Sequence, residues 1–420
     1  MHYTLRTECR ICSSRDLMKF LDLGQMPLAG GFIKPQQVPD EKLYPLTVVF
    51  CRVCKEVQIL ETVPAEVLFK DYRYMSSTTV TLSKHFAAYA KAMSERFLKK
   101  DDLVVEFGSN DGVLLKPFGD LGVKAVGVEP AVNIAKLALA KGCTVVNDFF
   151  NTATASGIKR RYGPASLVCA NNVFAHIDDM HEPMRAILEL LKPDGVFVFE
   201  VHYLLSLLEG CQFDMIYHEH MMHHSLTALG HLLNLHGMEI FDAKRIPIHA
   251  GSIRVYAQKK GQGRYPVADD LERLLSDERA AGLDREETFL DFGRTVYRKR
   301  DELIRLVSQL RGQNKTIVGY GASGRASVHL NFCKFGVTDI PYVTDESPER
   351  QGRLIPGMHN PIVSVQKLRD EQPDYAVLFA YNFFEEVMRK ETEFIRKGGR
   401  FIVPLPEPKI IEPREITKGQ

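Results

Sequence analysis

Tyr217, His218, Glu219 and His220 stand consecutively, and His223 and His224 follow at once. A phenol, a carboxylate and imidazoles in one place are the side chains of acid and base catalysis, because an imidazole titrates near neutrality and is easily tuned to remove a proton. Such a cluster suits deprotonation beside a ketone. The second histidine of a zinc-protease HExxH motif is missing, since Met222 holds its place. A metal site on His220 and His223, or a polar loop of surface histidines, remain as alternative readings. His176, in NNVFAHIDD, follows a strand-like run and is expected on the same rim.

Cys9 and Cys12 are two residues apart, as are Cys51 and Cys54. Each pair can offer two thiolates from one tight turn, and four sulfurs make a closed structural zinc site with no position left for substrate. Four unligated buried cysteines, or an iron–sulfur centre, are the other readings. Cys143, Cys169, Cys211 and Cys333 lie in apolar surroundings and read as core.

Two glycine loops follow strand-like runs. In VVEFGSNDGVLL, Gly108 opens a turn that brings Asn110 and Asp111 towards a ligand, and Glu129 comes twenty-one residues after Gly108, where a carboxylate can accept both hydroxyls of a ribose. Glu106 before the glycine, and the lack of a third glycine, favour a methyltransferase over a dinucleotide enzyme, because no pyrophosphate needs cradling. Asp148 and Phe149 follow the third strand, either as an acid for an adenine amino group and an aromatic for its face or as loop and core residues. Asn171 and Asn172 close the fourth. In TIVGYGASG, by contrast, Gly319, Gly321 and Gly324 form a full GxGxxG, with Asp345 twenty-one residues past Gly324. By itself that loop suggests NAD.

Strand-like runs at 103–107, 125–129, 144–146, 166–170 and 196–201 alternate with amphipathic segments, which predicts a parallel α/β sheet. The spacing divides the 420 residues into a zinc-binding module (1–70), an α/β domain (71–265), a helical linker of surface helices (266–310) and a second, Rossmann-like α/β unit (311–420). The first part shows little regular apolar periodicity. With 54 Lys and Arg against 53 Asp and Glu, the chain has no general attraction to nucleic acid or to anionic membrane. No apolar leader or spanning stretch is visible, and a cytoplasmic setting is expected.

Taken in order, the CxxC pairs, EFGSNDG, GVEP, NNVFAH, YHEH, HAGSIRV and GYGASG resemble the C-methyltransferases of deoxysugar biosynthesis, over essentially the whole chain. The resemblance implies a class I S-adenosylmethionine-dependent methyltransferase domain of Rossmann-like fold, flanked by a small N-terminal zinc module and a C-terminal Rossmann-like domain. It implies S-adenosyl-L-methionine and structural Zn2+ as cofactors, and a TDP- or GDP-linked 4-keto-6-deoxysugar as partner. In its terms His220 removes the proton beside the ketone, commonly at C3, with Tyr217 and Glu219 assisting. His176 and Tyr74 contact the sugar, and Ser323, Gly324, Arg325 and Asp345 hold the nucleotide. MMHHSL after YHEH departs from the aromatic residues expected there. The rival readings are an NAD-linked sugar-nucleotide oxidoreductase, an O- or N-methyltransferase, and a scaffold that has lost activity.

Overall fold

The structure is a computed structural model that describes residues 2–69, 77, 80–262 and 264–412. Its centre is a seven-stranded sheet in the order Met238–Ile246, Ser252–Lys259, Leu191–His202, Ala165–Asn171, Leu103–Phe107, Lys124–Val128, Thr144–Val146. The last five are parallel to one another, and Ser252–Lys259 runs antiparallel to both its neighbours. LVVEF is buried along its whole length because helices cover both faces. Leu103, Val105 and Phe107 join a core with Ala155, Ile158, Met184 and Ile187, while Val104 faces Phe86, Tyr89 and Met93 of helix Val80–Phe97. Strand order reverses between Leu103–Phe107 and Ala165–Asn171, and a ligand crevice opens at the carboxyl ends of strands at such a point.

The cysteine-bearing segment holds more regular structure than its sequence suggests. Leu17–Met26 and Tyr44–Cys51 pair antiparallel, but the register shifts between Lys19 and Leu21 and again between Asp22 and Gln25. Those irregularities hide the period-two signal. Val57–Ile59 extends this sheet, and its fourth strand is Met222–His223, directly after the YHEH cluster. The N-terminal sheet therefore carries the segment on which the acid–base chemistry was placed.

A six-stranded sheet of five parallel strands and an antiparallel edge, Lys409–Ile410, forms the C-terminal unit, with its reversal between Ile317–Tyr320 and Tyr375–Leu378. The helices between the two α/β units, Asp269–Ala281 and Glu286–Gly312, keep their charged faces exposed, as expected, but also bury an apolar stripe. Phe289 stacks on Phe50 with ring centroids 4.4 Å apart, and Gly293 lies so close to Phe20 that a Cβ would overlap its carbonyl oxygen. The apolar stripe of the long helix thus covers the N-terminal sheet. No described helix is long and apolar enough to cross a membrane.

Candidate active site

The carboxyl ends of Leu103–Phe107 and Ala165–Asn171 bring Glu106 and Asn171 together, with Asn171 Nδ2 donating to Glu106 Oε1 at 3.1 Å. Burial pushes the Glu106 carboxyl up to about 8, against the pull of that hydrogen bond. Glu106 Oε2, Ser109 Oγ, Asp111 Oδ1 and Asn171 Oδ1 are buried with no protein partner among the described residues. Orphaned oxygens at such density call for a ligand that brings its own donors and positive charge. Asp111 Oδ2 meets Lys141 Nζ at 2.9 Å.

Glu129, one residue beyond its strand, accepts from the backbone of Asn110 and of Ala131, both at 2.9 Å. Its carboxyl is pushed up by burial and pulled back by those two amides. The turn is built for this bond, with Asn110 at φ +48°. Gly108, at φ +64°, is required for a reason other than ligand approach: a Cβ there would overlap the Val173 side chain. Phe149 is 51% exposed at the end of Thr144–Val146, and Asp148 caps its backbone N–H at 2.8 Å. Phe150 turns inward and stacks on Phe107.

In the YHEH cluster, His220 Nδ1 lies 2.8 Å from the Met215 carbonyl, and Tyr217 OH lies 3.0 Å from His220 Nε2. A carbonyl only accepts, so the proton is assigned to Nδ1, and Nε2 keeps the lone pair that accepts from Tyr217. Burial, with charge repulsion from the neighbouring His176 and His223 imidazoles, holds His220 well below the ordinary histidine range. Met221 N–H donates to the Ala175 carbonyl at 2.8 Å, which sets the His176 and His220 rings edge to face at 5.1 Å. His176 is pulled down to about 4, chiefly by burial.

The other members of the cluster turn to the N-terminal sheet. His218 Nε2 donates to the Pro45 carbonyl at 3.0 Å, and His224 Nδ1 meets Glu56 Oε2 at 3.2 Å. Glu219 packs against Gly30, where a Cβ would lie 2.7 Å from Oε1, and burial pushes its carboxyl up to about 7. The structure therefore pairs His220 with Tyr217 and turns Glu219 towards Gly30. Among the described residues, the only group of three or more side chains placed to hold a metal is Cys9, Cys12, Cys51 and Cys54, with all four sulfurs within 4.8 Å of one another. The Cys9–Cys54 and Cys12–Cys51 sulfurs are 3.4 and 3.5 Å apart, close to the edge of about 3.8 Å that zinc–sulfur bonds of about 2.3 Å require. Ser13 and Lys55, at φ +56° and +68°, turn the chain back after each pair.

The second glycine loop reaches the same centre. Ser323 caps helix Gly324–Cys333, and a Cβ on Gly324 would lie 3.6 Å from the Tyr217 ring. Two members of the expected nucleotide site are otherwise engaged. Arg325 is 7% exposed, with Nε 3.2 Å from Asp214 Oδ2. Asp345 accepts from Ala322 N at 2.9 Å and Ser347 N at 2.8 Å, and pairs with Arg350, so it braces the loop. Tyr74 lies outside the described residues. Sequence reasoning missed Ser109, Gly30, Asp214 and Tyr381. An isolated acid in the apolar run CQFDMI was the one available signal, for Asp214.

Three family models match the chain: a putative zinc binding domain over residues 9–69, a methyltransferase domain over 82–242 and a C-methyltransferase C-terminal domain over 247–406. The C-methyltransferase NovU of Streptomyces niveus is 37% identical over 406 residues, spanning 96% of this chain and 96% of that protein. An uncharacterized methyltransferase of Oceanobacillus iheyensis, OB1106, is 28% identical over 142 residues, 31% of this chain and 64% of that protein.

Proposed function

The chain belongs to the C-methyltransferase family that includes NovU, and from that premise we propose that its acceptor is a nucleotide-linked 4-keto-6-deoxysugar methylated beside the ketone, at C3. The enzyme is an S-adenosylmethionine-dependent C-methyltransferase of class I fold with a zinc-binding N-terminal module. When bound, S-adenosylmethionine supplies an electrophilic methyl group. Glu106, Ser109, Asp111 and Asn171 would hold its amino-acid end, because their orphaned oxygens match an ammonium and a positive sulfur. Glu129 would take its ribose, and Asp148 and Phe149 its adenine.

One observation carries the acceptor reading: His220 is clamped with Nδ1–H on Met215 and a bare Nε2 beside Tyr217. A neutral imidazole fixed in that tautomer can take a proton from carbon. Tyr217 OH, released from Nε2 by the incoming substrate, can donate to the ketone oxygen as enolate charge develops there, and His176 stands on the other side as a second donor. The enolate carbon then needs only in-line placement. Glu219, turned to Gly30 with its carboxyl raised to about 7 by burial, takes no part in the proton transfer, and Tyr74 is proposed as a further sugar contact. Ser323 and Gly324 would seat the diphosphate at the start of their helix, next to Tyr217. The division of labour follows residues 1–70, 71–265, 266–310 and 311–420. A cytoplasmic setting would keep the four thiols reduced.

The test is incubation with TDP- and GDP-linked 4-keto-6-deoxysugars, with the methyl donor in one tube and in deuterated water without it in another, read by mass spectrometry. One methyl gained in the first and one deuteron in the second is the expected result. Methylation at oxygen, or donor binding with neither gain, would overturn the keto-sugar reading.

A further inference from the structure

We infer that Arg325 of the second glycine loop, acting through Asp214, is a positioning residue for the His220 base and not a phosphate ligand. The inference rests on the proposal that His220 is that base. Asp214 is 0% exposed in the short turn Phe213–Met215, and among the described residues the side chains on its carboxylate, Arg325, His329 and Tyr381, come from the C-terminal unit. Tyr381 OH donates to Oδ1 at 3.0 Å, His329 Nε2 to Oδ2 at 3.1 Å, and Arg325 Nε lies 3.2 Å from Oδ2. Arg325 also donates to Tyr381 OH at 2.7 Å and lies over the Tyr381 ring, 4.2 Å from its centroid. Its Nη1 donates to Asn382 Oδ1 at 3.3 Å, so the guanidinium is taken up by the acid, the phenol and this amide.

The residue after Asp214 is Met215, whose carbonyl receives the Nδ1–H of His220. A three-residue turn cannot shift one of these groups and leave the other in place. If the carboxylate loses its hold, the Met215 carbonyl moves off Nδ1, and the imidazole is free to carry its proton on Nε2. In that tautomer the nitrogen beside Tyr217 has no lone pair for the substrate proton. Docking of the C-terminal unit on the turn therefore makes the base competent, which explains why a basic residue of a glycine loop is buried away from any phosphate.

The experiment uses the full, zinc-loaded chain and measures deuterium incorporation into a TDP-linked 4-keto-6-deoxysugar without methyl donor, against substrate concentration and pH. His220→Ala, Arg325→Met, Arg325→Lys and Tyr381→Phe are compared, with donor affinity measured on each as the check of fold. His220 is faced by Tyr217, His176, His223 and His202. Arg325 also acts electrostatically on Tyr217 and His202, so the pH limb is read in Tyr381→Phe, which keeps that charge and reports the clamp. Expected are a maximal exchange rate lowered roughly 100-fold in Arg325→Met and about tenfold in Tyr381→Phe. Half-saturation should stay within about threefold, the acid limb of Tyr381→Phe should move down because the Met215 bond that raises His220 is loosened, and Arg325→Lys should recover part of the rate. A raised half-saturation with unchanged maximal rate would make Arg325 a phosphate ligand and overturn the inference, as would wild-type rate and limb in both variants. Should Arg325→Met fail to bind donor, Tyr381→Phe decides alone. Exchange surviving in His220→Ala would instead defeat the reading of the base itself.

Discussion

His220 Nδ1 and the Met215 carbonyl oxygen are 2.8 Å apart, and this one hydrogen bond assigns the lone pair of the imidazole to Nε2. Burial opposes protonation of that nitrogen, so His220 sits well below its ordinary pKa and is neutral throughout the neutral range. The sign follows. A base that must be unprotonated is lost only as pH falls through its own depressed pKa, so α-proton exchange should be flat from pH 8 to about 6.5 and decline only in acid. His176, His202, His223 and Tyr217 face the ring and leave it no carboxylate that would raise this limb. A limb at or above pH 6.5 in an exchange profile would contradict the burial of His220 as the base.

Glu106 carries a prediction about the methyl donor. Its carboxyl is raised to about 8 by burial and is protonated at neutral pH without ligand. A bound ammonium and sulfonium would drive that proton off, so donor binding should release a proton and tighten as pH rises from about 6 to 8. Calorimetry in two buffers of different ionisation enthalpy measures the release. Glu106→Gln should abolish it and weaken binding by roughly 10- to 100-fold; unchanged proton release in that variant would count against the assignment.

The zinc module should matter to the acceptor chemistry more than to donor binding. Met222 and His223 pair with Gln58 and Val57, and Ile59 N–H donates to the Met221 carbonyl at 3.0 Å, three residues or fewer from His220. Removing the metal with a chelator should cut deuterium exchange at least ~100-fold, while donor affinity stays within about threefold. Equal loss of both would show that the module supports the whole fold and not the catalytic segment in particular.

Gly293 offers a test of the long helix as a cover for the N-terminal sheet. In an exposed helix, Gly→Ala stabilises by about 1 kcal/mol. Here the new Cβ would overlap the Phe20 carbonyl oxygen, a backbone atom with little room to yield. Gly293→Ala should therefore destabilise by roughly 1–3 kcal/mol, read as a lower midpoint of thermal unfolding. A raised midpoint would place the helix off the sheet.

Local chemistry was legible along the chain because it needs only neighbours in sequence. Two CxxC turns, a strand running into EFGSNDG, and Tyr217 beside His220 at a three-residue separation each form within one short segment. The alternation of apolar runs with amphipathic helices likewise gave the parallel sheets. Tertiary structure alone decided which of these segments meet. That His218 and Glu219 serve the N-terminal sheet, that Arg325 answers Asp214 and not a phosphate, and that a charged helix hides Phe289 against Phe50 all depend on partners far away in sequence. The charge and spacing of a residue state what bonds it can make. Which bond it makes is set by the burial and the partner that folding brings to it, and neither is written at its own position.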